Sequence, residues 1–327
     1  MSAASETINL PSANAGHEMG MSGLHKALFA ALLAAGLVAP FVLYPVFVMK
    51  VLCFALFACA FNLLLGFGGL LSFGHAAYFG GAAYVSAHAA KVWGFTPELA
   101  ILTGALAAAL LGAAIGSLAI RRQGIYFAMV TLAFAQMVFF FSVQAPFTGG
   151  EDGIQSVPRG LLFGLIDMRP DRNLYFLVLA VVFLGLLAIY RVIHSPFGQV
   201  LKGIRDNEAR MTSLGYRVNR YKLAVFTLSA ALSGLAGATK AIVFQLASLT
   251  DVYWTMSGEV VLMTLLGGMG TVFGPIVGAT VIVSLQNYLA TFGDWVTIVQ
   301  GVIFVVAVLL FREGIVGVVA KLIRKPL

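Results

Sequence analysis

After residue 26 almost the whole chain consists of long apolar blocks parted by short polar turns, at 27–49, 51–66, 73–91, 98–120, 124–145, 174–191, 223–247, 256–291 and 295–311. At about 1.5 Å of rise per helical residue, some 20 residues cross a hydrocarbon core of roughly 30 Å, so the blocks predict membrane-spanning helices. Helix is the required form. Unpaired backbone groups are costly in lipid, and irregular backbone survives only where protein or a cavity shelters it. The expected fold class is therefore all-α, a polytopic membrane helix bundle of about eight to ten transmembrane segments. The 256–291 block is broken by glycines and predicts either two short crossings or a re-entrant pair.

Composition agrees. Sixty per cent of residues are hydrophobic, 10% are charged and mean hydropathy is +0.96, against roughly a quarter charged in soluble domains. The first 23 residues carry only Glu6 and Glu18 as acids and no Lys or Arg. Residues 1–26 read as a flexible polar tail rather than a cleaved leader, 27–312 as one transmembrane domain and 313–327 as a basic tail. Cys53 and Cys59 share one apolar block and read as small core residues.

The net charge of +7 is concentrated in one island, 191–222, where Arg191, Lys202, Arg205, Arg210, Arg217, Arg220 and Lys222 face only Asp206 and Glu208. Basic loops lie on the cytoplasmic side of a membrane, which places the island there, both chain termini with it, and the 146–173 loop outside. That loop carries Glu151, Asp152, Asp167 and Asp171 against three arginines. Lys and Arg confined to loops make nucleic-acid binding a poor reading of the basic charge. Within the island, Val200, Leu201, Ile204, Met211 and Leu214 recur near helical spacing and Gly215 follows as a stop, predicting a short amphipathic helix over 200–214. It could dock a partner, or anchor to anionic lipid.

Two glycine clusters interrupt the apolar pattern, NLLLGFGGLLSFGHAAYFGGA from Asn62 and LLGGMGTVFGPIVGA from Leu265. In a membrane such clusters mark broken helices along a substrate path, or close packing through small residues. Chemistry for catalysis is missing: there is no G-x-x-x-x-G-K-[ST], no H-E-x-x-H and no G-x-S-x-G. The chain is not expected to be an enzyme, to hydrolyse ATP or to bind a metal. His75 and His88 read as structural. Lys240, Asp251, Glu259 and Asp294 fall near block ends; Glu259 is the best intramembrane candidate, though an acid at a helix N-terminus explains it as well. Energy coupling is expected from a partner, and the rival reading is a self-sufficient secondary transporter or channel.

Six stretches together resemble a known family: NLLLGFGGLLSFGHAAYFGGAAY (62–84), GIYFAMVTLAFAQM (124–137), FTGGEDGI (147–154), SPFGQVLKGIRDNEARMTSLGY (195–216), YKLAVFTLSAALSGLAGA (221–238) and LLGGMGTVFGPIVGA (265–279). They are similar to the M-type permeases of ATP-binding-cassette importers for leucine, isoleucine and valine. The resemblance implies a bacterial inner-membrane subunit, a pseudo-symmetric H-type partner permease, two ATPase subunits holding ATP and Mg, and a periplasmic solute-binding protein. No cofactor is expected on this chain.

It further implies that Ile204, Arg205, Glu208, Ala209, Arg210, Leu214 and Gly215 form the ATPase-coupling motif. In the general Glu-Ala-Ala motif an Ala stands where this chain has Arg210, and the Gly comes one residue earlier than Gly215. Asn62, Gly66, Gly69, Ser72, Gly74, His75, Gly267, Gly268, Gly270 and Gly274 are candidates for the translocation path. Thr148, Gly149, Gly150, Asp152 and Gly153 form the outer-loop motif. Urea, short amides and aromatic acids are substrates of similar permeases and stand as the alternatives.

Overall fold

The computed structural model describes residues 23–289, 298–299, 301–302, 305 and 314–323. The tail up to residue 22, most of the 295–311 block and residues 324–327 lie outside the described residues. The helices are α1 (Gly23–Val42), α2 (Pro45–Asn62), α3 (His75–Lys91), α4 (Pro97–Ala119), α5 (Ile125–Gln144), α6 (Asp171–His194), α7 (Pro196–Asp206), α8 (Glu208–Ser213), α9 (Val218–Phe244), α10 (Trp254–Gly267), α11 (Gly274–Leu289) and α12 (Gly314–Ile323). The chain is a polytopic helical membrane bundle.

Five described segments are long and apolar enough to cross a membrane: Pro45–Phe67, Pro97–Ala119, Ile125–Gln144, Asp171–His194 and Val218–Phe244, with Ala27–Val42 as a shorter apolar helix. α3, α10 and α11 have 17, 14 and 16 residues, short of the ~20 that a crossing requires. The described part of the 256–291 block, up to Leu289, is thus a pair of short antiparallel helices broken at 268–273, as its glycines predict.

Two boundaries differ from expectation. The first break falls at Leu43 and Tyr44 rather than near Lys50, because Pro45 occupies the first turn of α2, where its fixed φ and missing N–H cost nothing. Lys50 is therefore inside α2. The island forms two helices instead of one over 200–214. Ser195 caps α7 by accepting from Gly198 N, and Asn207, extended at φ −157°, caps α8 by accepting from Arg210 N. The short polar side chain of Asn207 offers the backbone an alternative to continuing the helix.

α9 lies at the centre, packed against α2, α3 and α4. Small residues allow that approach: a Cβ on Gly237 would stand 1.9 Å from the Phe79 carbonyl oxygen. Around it Phe57, Phe61, Phe79, Phe127, Phe226 and Tyr175 are fully buried. α4 presents Leu99, Leu102, Leu106 and Leu110 outward, an exposed apolar stripe suited to lipid.

α6 leads from the 146–170 loop to the island, and α9 leads back from the island to that loop. Residues 154–155 (β1) pair antiparallel with 246–247 (β4), beyond the end of α9, while 161–162 (β2) and 166–167 (β3) form a hairpin. Arg159 clamps the loop, donating from Nη1 to Asp171 Oδ1 at 2.6 Å and from Nη2 to the Val243 carbonyl at 3.0 Å. Loop and island therefore occupy opposite ends of the bundle, as their opposite charge implies.

Candidate functional site

Where α2 ends, its last turn widens into a π-helical turn, Leu63–Phe67. Such turns are rare and free a carbonyl for other partners. Asn62, 2% exposed, uses both ends of its amide on the α10–α11 connection. Its Oδ1 accepts from Gly270 N at 2.9 Å and its Nδ2 donates to the Thr271 carbonyl at 2.8 Å. Backbones meet closely here: a Cβ on Gly66 would lie 2.6 Å from Gly270 N. The two glycine clusters, some 200 residues apart in sequence, form one junction.

The island reaches the same place. Leu201 and Ile204 bury the inner face of α7, and Arg205 Nη1 donates to the Gly66 carbonyl at 2.5 Å. Its Nε and Nη2 hold Asp206 Oδ1 at 3.2 and 3.1 Å, so the guanidinium is oriented from behind. A side chain on Gly69 would collide with the Arg205 stem at 2.7 Å. Lys202 lies over the Phe67 ring, 5.7 Å from its centroid. Burial, and secondarily Arg205, holds the Lys202 ammonium below the ordinary lysine range.

Thr271 closes the junction from the other side, donating to the Gly268 carbonyl at 2.8 Å and accepting from Gly274 N at 3.1 Å, which caps α11. Gly267, Gly268 and Gly274 shape this turn. The remaining path candidates point elsewhere. Ser72 accepts from Gly74 N at 3.2 Å. His75 is fully buried among Phe61, Tyr78 and Phe226, its Nε2 2.9 Å from Ser229 Oγ, which in turn donates to the Ala60 carbonyl.

Glu208 is turned into the protein. It accepts from Lys222 Nζ at 2.7 Å and from Gln123 Nε2 at 3.1 Å, tying α8 to α9 and to the α4–α5 turn. Lys222 is almost wholly buried while Glu208 stays about one-third exposed, so the ammonium depends on this carboxylate more than the carboxylate depends on it. Ala209, Arg210, Leu214 and Gly215 are exposed and form the outward surface of the island. At the opposite end the 148–153 motif is a turn-builder. Thr148 Oγ1 lies 2.6 Å from the Ser142 and Ala145 carbonyls, Gly149, Gly150 and Gly153 all have positive φ, Asp152 is exposed, and β1 follows directly.

Lys222, Gln123 and Thr271 were not singled out from sequence as partners of this site. Their signal is weak because each acts on a residue distant in the chain.

Residues 43–308 match the family described as branched-chain amino acid transport system, permease component. The LivM high-affinity branched-chain amino acid transport permease of Escherichia coli is 30% identical over 233 residues, covering 64% of this chain and 55% of that protein. Its Salmonella typhimurium counterpart is 30% identical over 246 residues, covering 68% and 57%. A ribose import permease of Bacillus subtilis is 29% identical over 174 residues, covering 50% of this chain and 51% of its own. The chain thus spans little more than half the length of these relatives. No solved structure matches it significantly.

Proposed function

The chain belongs to the permease family of branched-chain amino acid transport systems, and from that premise we propose that it is the M-type membrane subunit of an ATP-binding-cassette importer for leucine, isoleucine and valine. Its partners are an H-type permease, two ATPases carrying ATP and Mg, and a solute-binding protein outside. The island faces the cytoplasm and the 146–173 loop faces the binding protein. This chain contributes movement, and the reaction belongs to the ATPases.

The observation carrying this reading is the direct link from island to broken helices. Arg205 joins α7 to the Gly66 carbonyl, and Asn62 joins the same π turn to Gly270 and Thr271. Closure of the ATPases on the exposed Ala209, Arg210 and Leu214 surface would displace α7 and α8 as a unit. That displacement pulls on the two segments whose backbone is already irregular, where rearrangement costs least. Glu208 then serves as the internal tie to α9, so the outward groups do the docking.

Substrate choice rests largely with the binding protein. The resemblance to a ribose import permease fits a pore that accepts different guests, and urea, short amides and aromatic acids remain within the class. The reading is tested by ATP-driven leucine uptake into proteoliposomes holding the complete complex. Uptake that requires ATP and the binding protein supports it, and uptake by this chain alone without ATP refutes it.

A further inference from the structure

Four charged residues lie toward the loop end of packed helices, away from the junction: Lys50 near the start of α2, Lys240 near the end of α9, Asp251 just before α10, and Glu259 near the start of α10. Their formal charges cancel. Two of them satisfy each other, since Lys240 Nζ donates to the buried Asp251 carboxylate and rests against the rings of Phe79 and Phe244.

The other two are left open. Among the described residues Lys50 makes no hydrogen bond or ion pair, and Glu259 accepts a single hydrogen bond, from Gln286 Nε2 of α11 at 3.1 Å. Both are half-buried, and they sit along the same stretch of two packed helices: Thr264 Oγ1 of α10 lies 3.4 Å from the Ala58 carbonyl of α2, and Glu259 and Lys50 both fall on the loop side of that contact. A cation and an anion thus share one part of a membrane bundle without touching. Such charges are expensive in a bilayer, and those that persist mark a pathway or binding site. A dipolar guest with one positive and one negative end would complete both at once. A simple ion would meet one charge only, and a sugar would meet neither at full strength.

We infer that Lys50 and Glu259 form a zwitterion-binding station, Lys50 meeting the α-carboxylate of a transported amino acid and Glu259, oriented by Gln286, meeting its α-ammonium. The Lys240–Asp251 pair positions the entrance to α10 and keeps the surrounding charge balanced. α2, α10 and α11 pack on one another, and α10 and α11 meet at the Gly267–Gly274 turn, so occupancy of the station bears on the same helices that the island grips. This assignment rests on the amino-acid importer reading above.

The test uses the complete complex in proteoliposomes, with radiolabelled leucine as the probe. Lys50→Gln and Glu259→Gln each lower uptake by at least about tenfold while the chain still assembles with its partners, and Lys50→Arg retains most of it. In the wild type, a diazirine analogue of leucine, photoactivated during turnover, labels peptides from α2 and α10. Normal uptake by both Gln variants beside an active wild type overturns the station and leaves the importer reading standing. Labelling confined to other segments overturns it even where a variant fails to assemble. A wild-type complex that hydrolyses ATP but takes up no leucine brings down the amino-acid reading itself, and the station with it.

Discussion

Arg205 donates to the Gly66 carbonyl across a 2.5 Å hydrogen bond, joining a helix of the charged island to the π turn where a membrane helix breaks. A charge-assisted bond to a carbonyl freed by a wide turn is stronger than a neutral one, and it is directional. If it transmits motion, Arg205→Ala lowers ATP-driven uptake by about tenfold, the scale of about 1.4 kcal/mol for one such bond. The chain should still assemble, because Leu201 and Ile204 continue to seat α7. Arg205→Lys is expected to recover little, since an ammonium cannot hold Asp206 and Gly66 together in one planar fork. Uptake assays beside size-exclusion profiles check this.

Asn62 is matched to its place by having both a donor and an acceptor. Asn62→Asp keeps the acceptor for Gly270 N but turns an acceptor toward the Thr271 carbonyl. A buried clash of this kind costs about 1–3 kcal/mol, to be read as a lower thermal unfolding midpoint in detergent. Asn62→Gln, one methylene longer, should also destabilise because Gly66 and Gly270 leave no room.

The pairing of Glu208 with Lys222 separates two roles. Glu208→Ala strands a buried ammonium and is expected to destabilise by about 2 kcal/mol, less than a fully buried pair because Glu208 is partly exposed. Glu208→Ala combined with Lys222→Met should restore much of the loss. A double-mutant cycle on thermal stability gives the coupling directly.

Gly237→Leu is predicted to abolish accumulation of folded protein. Even a methyl there would meet the Phe79 carbonyl at 1.9 Å, and overpacking of α3 against α9 costs about 1–3 kcal/mol or more. Gly258→Ala, where a Cβ meets nothing within 4 Å, should be tolerated. Quantitative immunoblotting of membranes separates the two outcomes.

Much of the bundle was legible in the pattern of apolar blocks, because each crossing must satisfy its own backbone in lipid. The break between α10 and α11 was legible too, since Gly267 to Gly274 cannot continue a lipid-facing helix. The break before Pro45 was not, because hydropathy runs through it and Lys50 looked like the natural divider. Within the site, glycines pointed to Gly66 and Gly270 individually. That Asn62 and Arg205 join them is a matter of tertiary contact across 139 to 209 residues of sequence, which periodicity does not carry. The inward turn of Glu208 was hidden for the same reason: Lys222 had counted only as part of a basic island.

The central claim is that the outward surface of the island engages ATPases. Co-purification from native membranes in mild detergent, wild type beside Leu214→Asp, tests it most directly. The Leu214 side chain is exposed, and its backbone N–H bonds back to the Arg210 carbonyl whatever the side chain, so the variant should fold. Recovery of a second permease and ATPase subunits with the wild type, and loss of the ATPases alone with Leu214→Asp, is the predicted result. A wild-type chain that emerges by itself and still moves amino acids without ATP would contradict the account.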